Sequence, residues 1–325
     1  MSKNQLQPIN AHFLKPLFYS ITNNCLTMDK LEKAYYESKF ENAFLKAKGN
    51  AFQSFFNDLM GRAYKSDYLP CRPWGNRGDQ KNDGFLKSDR RLFQVYAPNE
   101  MTENEAIKKI DEDFNGAKKF WGEHFDKWSF VHNAHDGLPP HIHRKILEFE
   151  KDNPGITLDP WGYIELLDIF RKITREDLEP WLGYAPNSSI KTKIGFKDIQ
   201  IVLEAIVIKS REPGVKPKKV PPKKIEANQL SESIAELIKA GMSKAMVVDD
   251  FFKKWHDPTF GEKIAAAFRK KYDQLREEFT PNEIFHELQK WIGGSERRTA
   301  EHEMAILTVI AYYFESCDIF EEPKS

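Results

Sequence analysis

Several classes of protein are made improbable by what this sequence lacks. It has three cysteines in 325 residues, Cys25, Cys71 and Cys317, which are far apart and form no CxxC or Cys/His spacing. This favours a reduced cytosolic protein over a zinc finger or a disulfide scaffold. No apolar run has the length of a transmembrane helix, and the polar N-terminus is not a signal peptide. We therefore expect a soluble, cytoplasmic protein that does not associate with a membrane.

The sequence also lacks net charge. Its 49 basic and 49 acidic residues give a formal charge of zero, so the molecule as a whole is no polycation. Any surface that binds nucleic acid must then be local. The apolar content of 40% in 325 residues is enough for a sizeable core. This length predicts two domains, or three small ones.

The most informative stretch is Cys71–Pro98, which begins with turn residues and continues as a hairpin. We predict its first strand at Asp83–Lys87 and its second at Leu92–Ala97, joined by the polar link Ser88-Asp89-Arg90-Arg91. A four-residue link fixes a register between the strands. The pairs aligned by this register are Leu92 with Lys87, Gln94 with Phe85, and Tyr96 with Asp83.

Alternation along the two strands predicts a polar face and an apolar face. Asp83, Gln94 and Tyr96 share one face in this register. Asp83 and Gln94 are then diagonal neighbours about 7 Å apart at the backbone, so their oxygens can share one ion. The opposite, apolar face consists of Phe93, Val95 and Ala97.

This stretch resembles the core motif of the PD-(D/E)XK nuclease superfamily, in which an Asp is followed after about ten residues by Glu or Gln, any residue, and Lys. The matching residues are Asp83 and Gln94-Val95-Tyr96. The letters GDQKNDG and FQVYAP also resemble nuclease modules of bacterial anti-phage defence proteins. Two positions depart from the pattern, because Gln94 replaces the commoner Glu and Tyr96 stands where Lys is expected. The resemblance implies a restriction-endonuclease-like α/β core.

The resemblance also implies a site for Mg²⁺ or Mn²⁺. Asp83 is expected to be the carboxylate ligand, with the Gln94 side-chain oxygen, the Val95 carbonyl and Asp79 as further ligands. These hard oxygens suit Mg²⁺, which keeps several of its waters. Because Gln94 lacks the charge of Glu, we expect weak metal affinity until DNA phosphates add negative charge.

Three further residues are candidates for this site. Tyr96 cannot replace the charge of the motif lysine, since a phenol is neutral at pH 7. Lys81 is the best candidate for that role, with an ordinary exposed loop lysine as the alternative. Many PD-(D/E)XK enzymes use a Glu on the helix before the hairpin, and Gln53 occupies a similar place; the alternative is a surface Gln on an amphipathic helix.

Around the hairpin, the hydrophobic pattern predicts alternating helices and strands of an α/β layered core. The predicted elements are helices between Met28 and Tyr64 interrupted at Gly49-Asn50, a helix at about 102–120, strands at Trp128–His132 and Ile156–Leu158 with a helix between them, helices from Trp161 to Trp181, and a buried helix or strand at Ile199–Ile208. The histidines at positions 132, 135, 141 and 143 have no acid or cysteine at a fixed spacing. We interpret them as exposed loop histidines rather than a zinc site.

The sequence Arg211–Asn228 divides the chain. It contains four prolines and six basic residues against two acidic ones, which predicts an extended spacer. As an alternative to a simple spacer, the segment is a basic tether that also contacts phosphates. We therefore predict a nuclease domain at 1–210, a linker at 211–228 and a helical domain at 229–325.

The last hundred residues predict an all-α C-terminal bundle. The segments PNEIFHELQKWI and AILTVIAYYFESCDIFEEP resemble the C-terminal domain of effectors in bacterial ABC-three-component defence systems, which include the Lamassu group. The two resemblances cover residues 28–100 and 226–325. The second implies that 229–325 dock on a middle component and an SMC-like ABC ATPase.

Together these patterns favour a metal-dependent DNA endonuclease effector of an anti-phage complex. Its partners would hold it inactive, and release or homo-oligomerisation would activate it. The missing lysine and the glutamines also allow a nuclease-like fold that has lost catalysis and serves as a DNA-binding or scaffolding subunit. A protein–protein adaptor, which needs neither ion nor DNA, is the third hypothesis.

Overall fold

The structure, a computed structural model, describes residues 28–71, 80–209, 224–293, 299–316 and 319–321. The helices of these residues are α1 (Lys30–Lys46), α2 (Gly49–Tyr64), α3 (Glu103–Trp121), α4 (Pro140–Asp152), α5 (Tyr163–Phe170), α6 (Arg175–Leu182), α7 (Ser188–Lys193), α8 (Phe196–Lys209), α9 (Lys224–Ala227), α10 (Glu232–Met242), α11 (Ala245–Lys254), α12 (Phe260–Leu275), α13 (Pro281–Gly293) and α14 (Ala300–Glu315). The strands are β1 (Tyr68–Pro70), β2 (Gly84–Leu86), β3 (Arg91–Tyr96), β4 (Lys127–His132) and β5 (Thr157–Trp161).

The five strands form one mixed sheet in the order β1-β2-β3-β4-β5. The pairs β1–β2 and β2–β3 are antiparallel, whereas β3–β4 and β4–β5 are parallel. The parallel pairs are connected through α3 and α4, because parallel neighbours need a long crossover. The structure is therefore mixed α/β, and most of its residues are helical, as the sequence predicts.

Helices cover both faces of the sheet. Phe93 and Val131 point to the face packed by α1, α2 and α5, where they join the larger apolar cluster. Leu92 and Phe130 point to the opposite face, covered by α3 and α4. The predicted grouping of Phe93, Val95 and Ala97 on one face is confirmed, since all three pack in the larger cluster.

The predicted register of the hairpin is wrong by two residues. Phe85 pairs with Leu92, and Gly84 pairs with Phe93. The turn occupies 87–90 instead of 88–91, because Arg91 is held in the strand by hydrogen bonds to Ser129 Oγ and Asp159 Oδ2, both 2.6 Å long. A shift of two preserves the alternation of faces. It places Asp83 beside residues 93–95 of β3 and removes it from Tyr96.

The C-terminal helices pack around α14, which is buried from Glu303 to Ala311 and again at Tyr313 and Phe314. The segment Ile199–Ile208 is confirmed as helical and belongs to α8. This helix precedes the predicted domain boundary at 210, yet it contacts α11, α12, α13 and α14. The bundle therefore includes a helix that the sequence analysis assigned to the first domain.

Only the end of the predicted linker lies within the described residues, since 211–223 lie outside them. Residues 224–227 form the short helix α9, and Lys224 and Asn228 are 2% and 5% exposed. Lys224 and Asn228 are therefore buried in the bundle, unlike a solvated spacer, whereas Glu226 and Ala227 between them are exposed. The reason is that Lys224 finds backbone acceptors in the bundle that no composition rule can reveal.

The first helix joins the sheet to the bundle. Helix α1 contacts α2 and α5 on one side and α10 and α13 on the other. Its buried Glu41 accepts hydrogen bonds from Ser231 Oγ and Asn282 Nδ2, each 2.8 Å long. Apolar packing is continuous from the sheet through α1 to the bundle.

No helix in the described part of the chain is both long and apolar enough to span a membrane.

Candidate functional site

A strained turn brings the chain into β2. Gln80 and Lys81 both have left-handed backbone conformations, with φ of 53° and 60°. The next residue, Asn82, accepts a hydrogen bond from Gly84 N through its side-chain oxygen at 3.0 Å. Non-glycine residues in this region cost free energy, and such strain concentrates at functional sites. The turn fixes the position of Asp83 immediately after it.

The backbone of Asp83 is held by both neighbouring strands. Its N–H donates to Phe93 O at 2.9 Å, and its carbonyl accepts from Cys71 N at 3.3 Å. The side chain is only 5% exposed. Asp83 therefore occupies a fixed place immediately before β2, held by backbone hydrogen bonds rather than on a loose loop.

The carboxylate of Asp83 accepts two further hydrogen bonds, from α2 and from β3. Oδ1 accepts from Gln53 Nε2 at 2.8 Å, and Oδ2 accepts from Val95 N at 2.7 Å. A carboxylate has about four acceptor positions, so these two hydrogen bonds do not by themselves fill them. The structure thus brings together three of the predicted site residues, Gln53, Asp83 and Val95.

Packing of α2 sets the position of Gln53. The neighbouring Phe52 and Phe56 are fully buried, and the Phe56 ring lies 5.3 Å from the ring of Phe93. Because these rings fix the helix against the sheet, Gln53 is presented to the start of β2. It is a half-buried residue with a defined partner, not a surface glutamine.

Gln94 is buried on β3, next to Phe130 of β4. Its side chain is 3% exposed, and Oε1 has no hydrogen-bond partner within the residues that the structure describes. An unsatisfied buried acceptor costs about 1–3 kcal/mol, so it calls for an explanation such as a bound ion or water. Gln94 Oε1 is therefore a candidate ligand atom.

Lys81 is directed to α3. Its Nζ donates to Asp113 Oδ1 at 2.8 Å, and Lys109 forms a second ion pair with the same carboxylate, also at 2.8 Å. Asp113 is fully buried. A Cβ atom at Gly116 would lie 2.5 Å from Lys81 Cγ, so this glycine makes room for the lysine. The role of Lys81 as a replacement for the motif lysine stays a prediction.

Tyr96 packs on the α3/α4 face, with its ring 5.8 Å from that of Phe130. Burial, followed by the charge of Glu105, raises the pKa of the Tyr96 phenol. The side chain is therefore neutral at pH 7 and supplies no positive charge. Asp79, the remaining predicted ligand, lies outside the described residues.

The available donor atoms can be compared with the needs of Mg²⁺. In the described part of the chain, no group of three or more His, Cys, Asp or Glu side chains could hold a metal ion. What Asp83 and Gln94 offer is one carboxylate and one orphaned amide oxygen. Both are hard oxygens of the kind that Mg²⁺ prefers.

Gln94 alternates with Phe93 and Val95 and therefore points to the α3/α4 face, whereas the Asp83 carboxylate bonds to Gln53 of α2 on the other face. The predicted placement of Asp83, Gln94 and Tyr96 on one face is therefore wrong.

The interpretation of His132 as an exposed loop histidine is wrong. It is the last residue of β4 and is 3% exposed, and Nδ1 has no partner within the described segments. Burial, together with the nearby His143, lowers the pKa of His132 to about 4. A Cβ at Gly162 would lie 2.6 Å from the His132 ring, so a glycine is needed there.

Two functional candidates were missed in the sequence. Asp113 lies on the buried stripe of α3 that contains Ile110, Phe114 and Ala117, and an acid within such a stripe is a signal that could have found it. Asn82 is fully buried, and Nδ2 has no partner in the described residues. Nothing in its loop sequence predicts this burial.

A comparison with protein families concerns the helical bundle. Residues 197–321 match the model of C-terminal domain 10 of the ABC-three component (ABC-3C) systems. The chain carries an ABC-3C C-terminal domain. The match starts in α8, in agreement with the packing of that helix, and it confirms the resemblance of the tail. Searches of curated proteins and of solved structures gave no match. The sheet and the Asp83 site lie outside the matched residues.

Proposed function

We propose that this chain is a metal-dependent DNA endonuclease effector of an ABC-3C anti-phage defence complex. Its partners hold it inactive, and release or homo-oligomerisation activates it. The observation that carries the proposal concerns the Asp83 carboxylate. It accepts hydrogen bonds from the Gln53 side chain of the preceding helix and from the Val95 N–H of the next strand. The resemblance to PD-(D/E)XK nucleases implies that a residue of this helix reaches the site, as Gln53 does; for Val95 it implies a carbonyl ligand, whereas the observed bond comes from the Val95 N–H.

The partners follow from the C-terminal domain. Helices α8 and α10–α14 form the docking module for a middle component and an SMC-like ABC ATPase of the Lamassu kind. The match of residues 197–321 to an ABC-3C C-terminal domain supports this assignment. A nuclease joined to such a module would be delivered to DNA by its partners, so the neutral net charge of the chain is no obstacle.

The site residues divide the work of phosphodiester hydrolysis. Mg²⁺ or Mn²⁺, when bound, neutralises charge on the phosphate and supplies an activated water. Asp83 and the Val95 carbonyl would hold the ion, with Asp79 as an additional ligand. The Gln94 side-chain oxygen, which points to the other face of the sheet, would join them only after a rearrangement of β3. Gln53 keeps the Asp83 carboxylate in one orientation through its 2.8 Å hydrogen bond. Lys81 is the candidate for offsetting negative charge, provided that it leaves Asp113.

The decisive test is plasmid cleavage by the full chain, purified without its partners, in Mg²⁺ or Mn²⁺. We expect Asp83→Asn to lower the rate by about 100-fold or more, since a lost metal ligand removes several kcal/mol of transition-state stabilisation. Asp58→Asn is the matched control, because Asp58 is an exposed acid on α2. Equal loss of plasmid with the wild type and both variants would reject the assignment.

One set of observations favours a second candidate, a catalytically degenerate fold that binds DNA or acts as a scaffold in the same complex. Asp83 and Gln94 are only 5% and 3% exposed, and Lys81 is paired with Asp113. Calorimetric titration of Mn²⁺ in the presence of DNA separates the two functions. An active site gives binding that Asp83→Asn abolishes, whereas a degenerate site gives no Asp83-dependent binding.

A further inference from the structure

A cavity of about 330 Å³ lies beside β2, on the side of the hairpin that faces the end of α3. It begins at Asn82, the residue directly before Asp83, and extends to the hairpin turn. The walls that matter for binding are formed by Asn82, Phe85, Lys87, Arg90, Trp121 and His124. This volume is at the lower end of the range for small-molecule sites and suits one compact ligand.

One wall of the cavity is aromatic. The Trp121 indole is half-buried, and its Nε1 donates to Gln80 O at 3.2 Å, which fixes the ring at the end of α3. The His124 ring lies 6.2 Å from that of Trp121. Phe85 supplies a second half-buried ring from β2. Flat, fixed rings of this kind bind planar groups by stacking.

The end of the cavity at the hairpin turn is positively charged. Lys87 is exposed and has no ion-pair partner among the residues described. Arg90 is half-exposed and pairs with Asp126 at 3.0 Å. The lysine therefore contributes a positive charge outside any described ion pair, and the nearest acid that the contacts show is Asp67, whose carboxylate accepts from Ser88. A ligand that fills this cavity should carry an anionic group at this end.

At the opposite end of the cavity, Asn82 holds an unsatisfied donor group just beneath the surface. Asn82 is fully buried, and its oxygen is occupied by the N–H of Gly84. Its Nδ2 has no hydrogen-bond partner within the described residues. A ligand with a carbonyl or ring-nitrogen acceptor would remove this deficit.

We propose that the cavity binds one unpaired nucleotide of a DNA strand. Its base stacks on Trp121 and Phe85, and its phosphate lies at Lys87 and Arg90. The chemistry on which this rests is the combination of fixed rings, an unpartnered amide donor, and the side chains of Lys87 and Arg90 at one end. Reading the strand as the substrate rests on the proposed function, because Asn82 places the cavity next to Asp83. The binding itself requires no hydrolysis.

The test is fluorescence anisotropy of a labelled oligo-dT of roughly 12 nucleotides, with a blunt duplex for comparison, in metal-free buffer. We expect Trp121→Leu to weaken single-strand binding by about tenfold, the magnitude of one lost stacking contact. Lys87→Glu should weaken it as well and reduce the slope of log affinity against log salt by about one or more.

Two variants serve as matched controls. Phe120→Leu removes an exposed ring one residue from Trp121, and Lys151→Glu reverses an exposed charge on α4; neither lines the cavity. Both should bind within about twofold of the wild type. Thermal melting checks the fold of Trp121→Leu, and Lys87→Glu and His124→Ala, both at exposed positions, decide the question if that variant is unstable.

Each outcome distinguishes this proposal from the nuclease assignment. Unchanged single-strand affinity in the cavity variants, or a loss confined to the duplex, overturns the nucleotide site and leaves the Asp83→Asn plasmid assay unaffected. Weakened binding in the cavity variants, with no Asp83-dependent cleavage, supports the nucleotide site and rejects the nuclease.

Discussion

Two sets of buried polar side chains, one around Lys224 in the bundle and one beside the hairpin, are bonded in opposite ways. In the bundle, the buried Lys224 donates to Phe314 O at 2.9 Å and to Ile319 O at 2.6 Å. Asn228 adds hydrogen bonds to Lys224 O and Glu321 O. Beside the hairpin, Gln94 Oε1 and Asn82 Nδ2 are equally buried, yet neither has a partner in the described residues.

The difference separates a structural network from a site. A buried polar group that is fully bonded contributes to stability and fixes one conformation, whereas an unsatisfied group costs free energy. The Lys224 network joins α9 to the end of α14 and to the residues that follow it. Its hydrogen bonds are therefore made within the chain. The hairpin groups retain an unmet demand for hydrogen bonds or coordination, which is typical of surfaces that receive a ligand.

The largest effect is expected from Lys224→Met. This change keeps most of the side-chain length but leaves two buried carbonyls without their donor. We expect a loss of about 2–4 kcal/mol in the free energy of unfolding, measured by chemical denaturation. Lys239→Met, at an exposed position on α10, is the control and should change stability by less than about 0.5 kcal/mol. Similar values for the two variants would mean that the network is not structural.

A second test uses pH and His132. The pKa of His132 is lowered to about 4 in the folded chain from an unfolded value of 6.5, so protons bind the unfolded chain more strongly. Its contribution to stability is present above pH 6.5 and is lost as the pH falls toward 4. We expect the contribution of His132 to the free energy of unfolding to fall by about 2 kcal/mol between pH 7 and pH 5.

Chemical denaturation at both pH values measures the effect. His132→Gln should remove this part of the pH dependence, and His124→Gln, at an exposed position, should retain it. The same pH dependence in His132→Gln as in the wild type would show that the imidazole is not held neutral by burial.

The smallest of the three effects is expected from Asp113→Asn. Asp113 is fully buried, but the side chains of its partners Lys81 and Lys109 are 34% and 30% exposed, so water moderates the loss. We expect a destabilisation of about 1–2 kcal/mol in chemical denaturation. Glu112→Gln, in an exposed pair with Lys108 at 3.8 Å, is the control and should cost less than about 0.5 kcal/mol. If Asp113→Asn costs as little, Lys81 is not anchored to α3.

Local sequence predicts most of the elements. The hydrophobic pattern between Met28 and Tyr64 predicts α1 and α2 and their interruption, which the structure confirms. The three-residue strand β1 was missed, because it is short and ends in Pro70. The register was wrong because Arg91 is held by Ser129 and Asp159, which are distant in sequence.

The site was predictable only in part, for the same reason. Asp83 and Gln53 could be proposed from a motif and a neighbouring helix, and the structure joins them by a hydrogen bond. The pairing of Lys81 with Asp113 depends on the docking of α3 against the loop before β2, 32 residues away. No spacing rule contains that information. The burial of Asn82 and His132 likewise depends on tertiary packing.

The position of α1 has a consequence for how the effector that we propose would be activated. The helix is wedged between the sheet and the C-terminal bundle, with Glu41 bonded across the junction to Ser231 and Asn282. Pulling the two halves apart would wet this whole seam, at about 25 cal/mol for every Å² of apolar surface uncovered. Activation therefore costs the least free energy if the sheet and the bundle stay together. In that case the signal is a change in the partners bound to an intact chain.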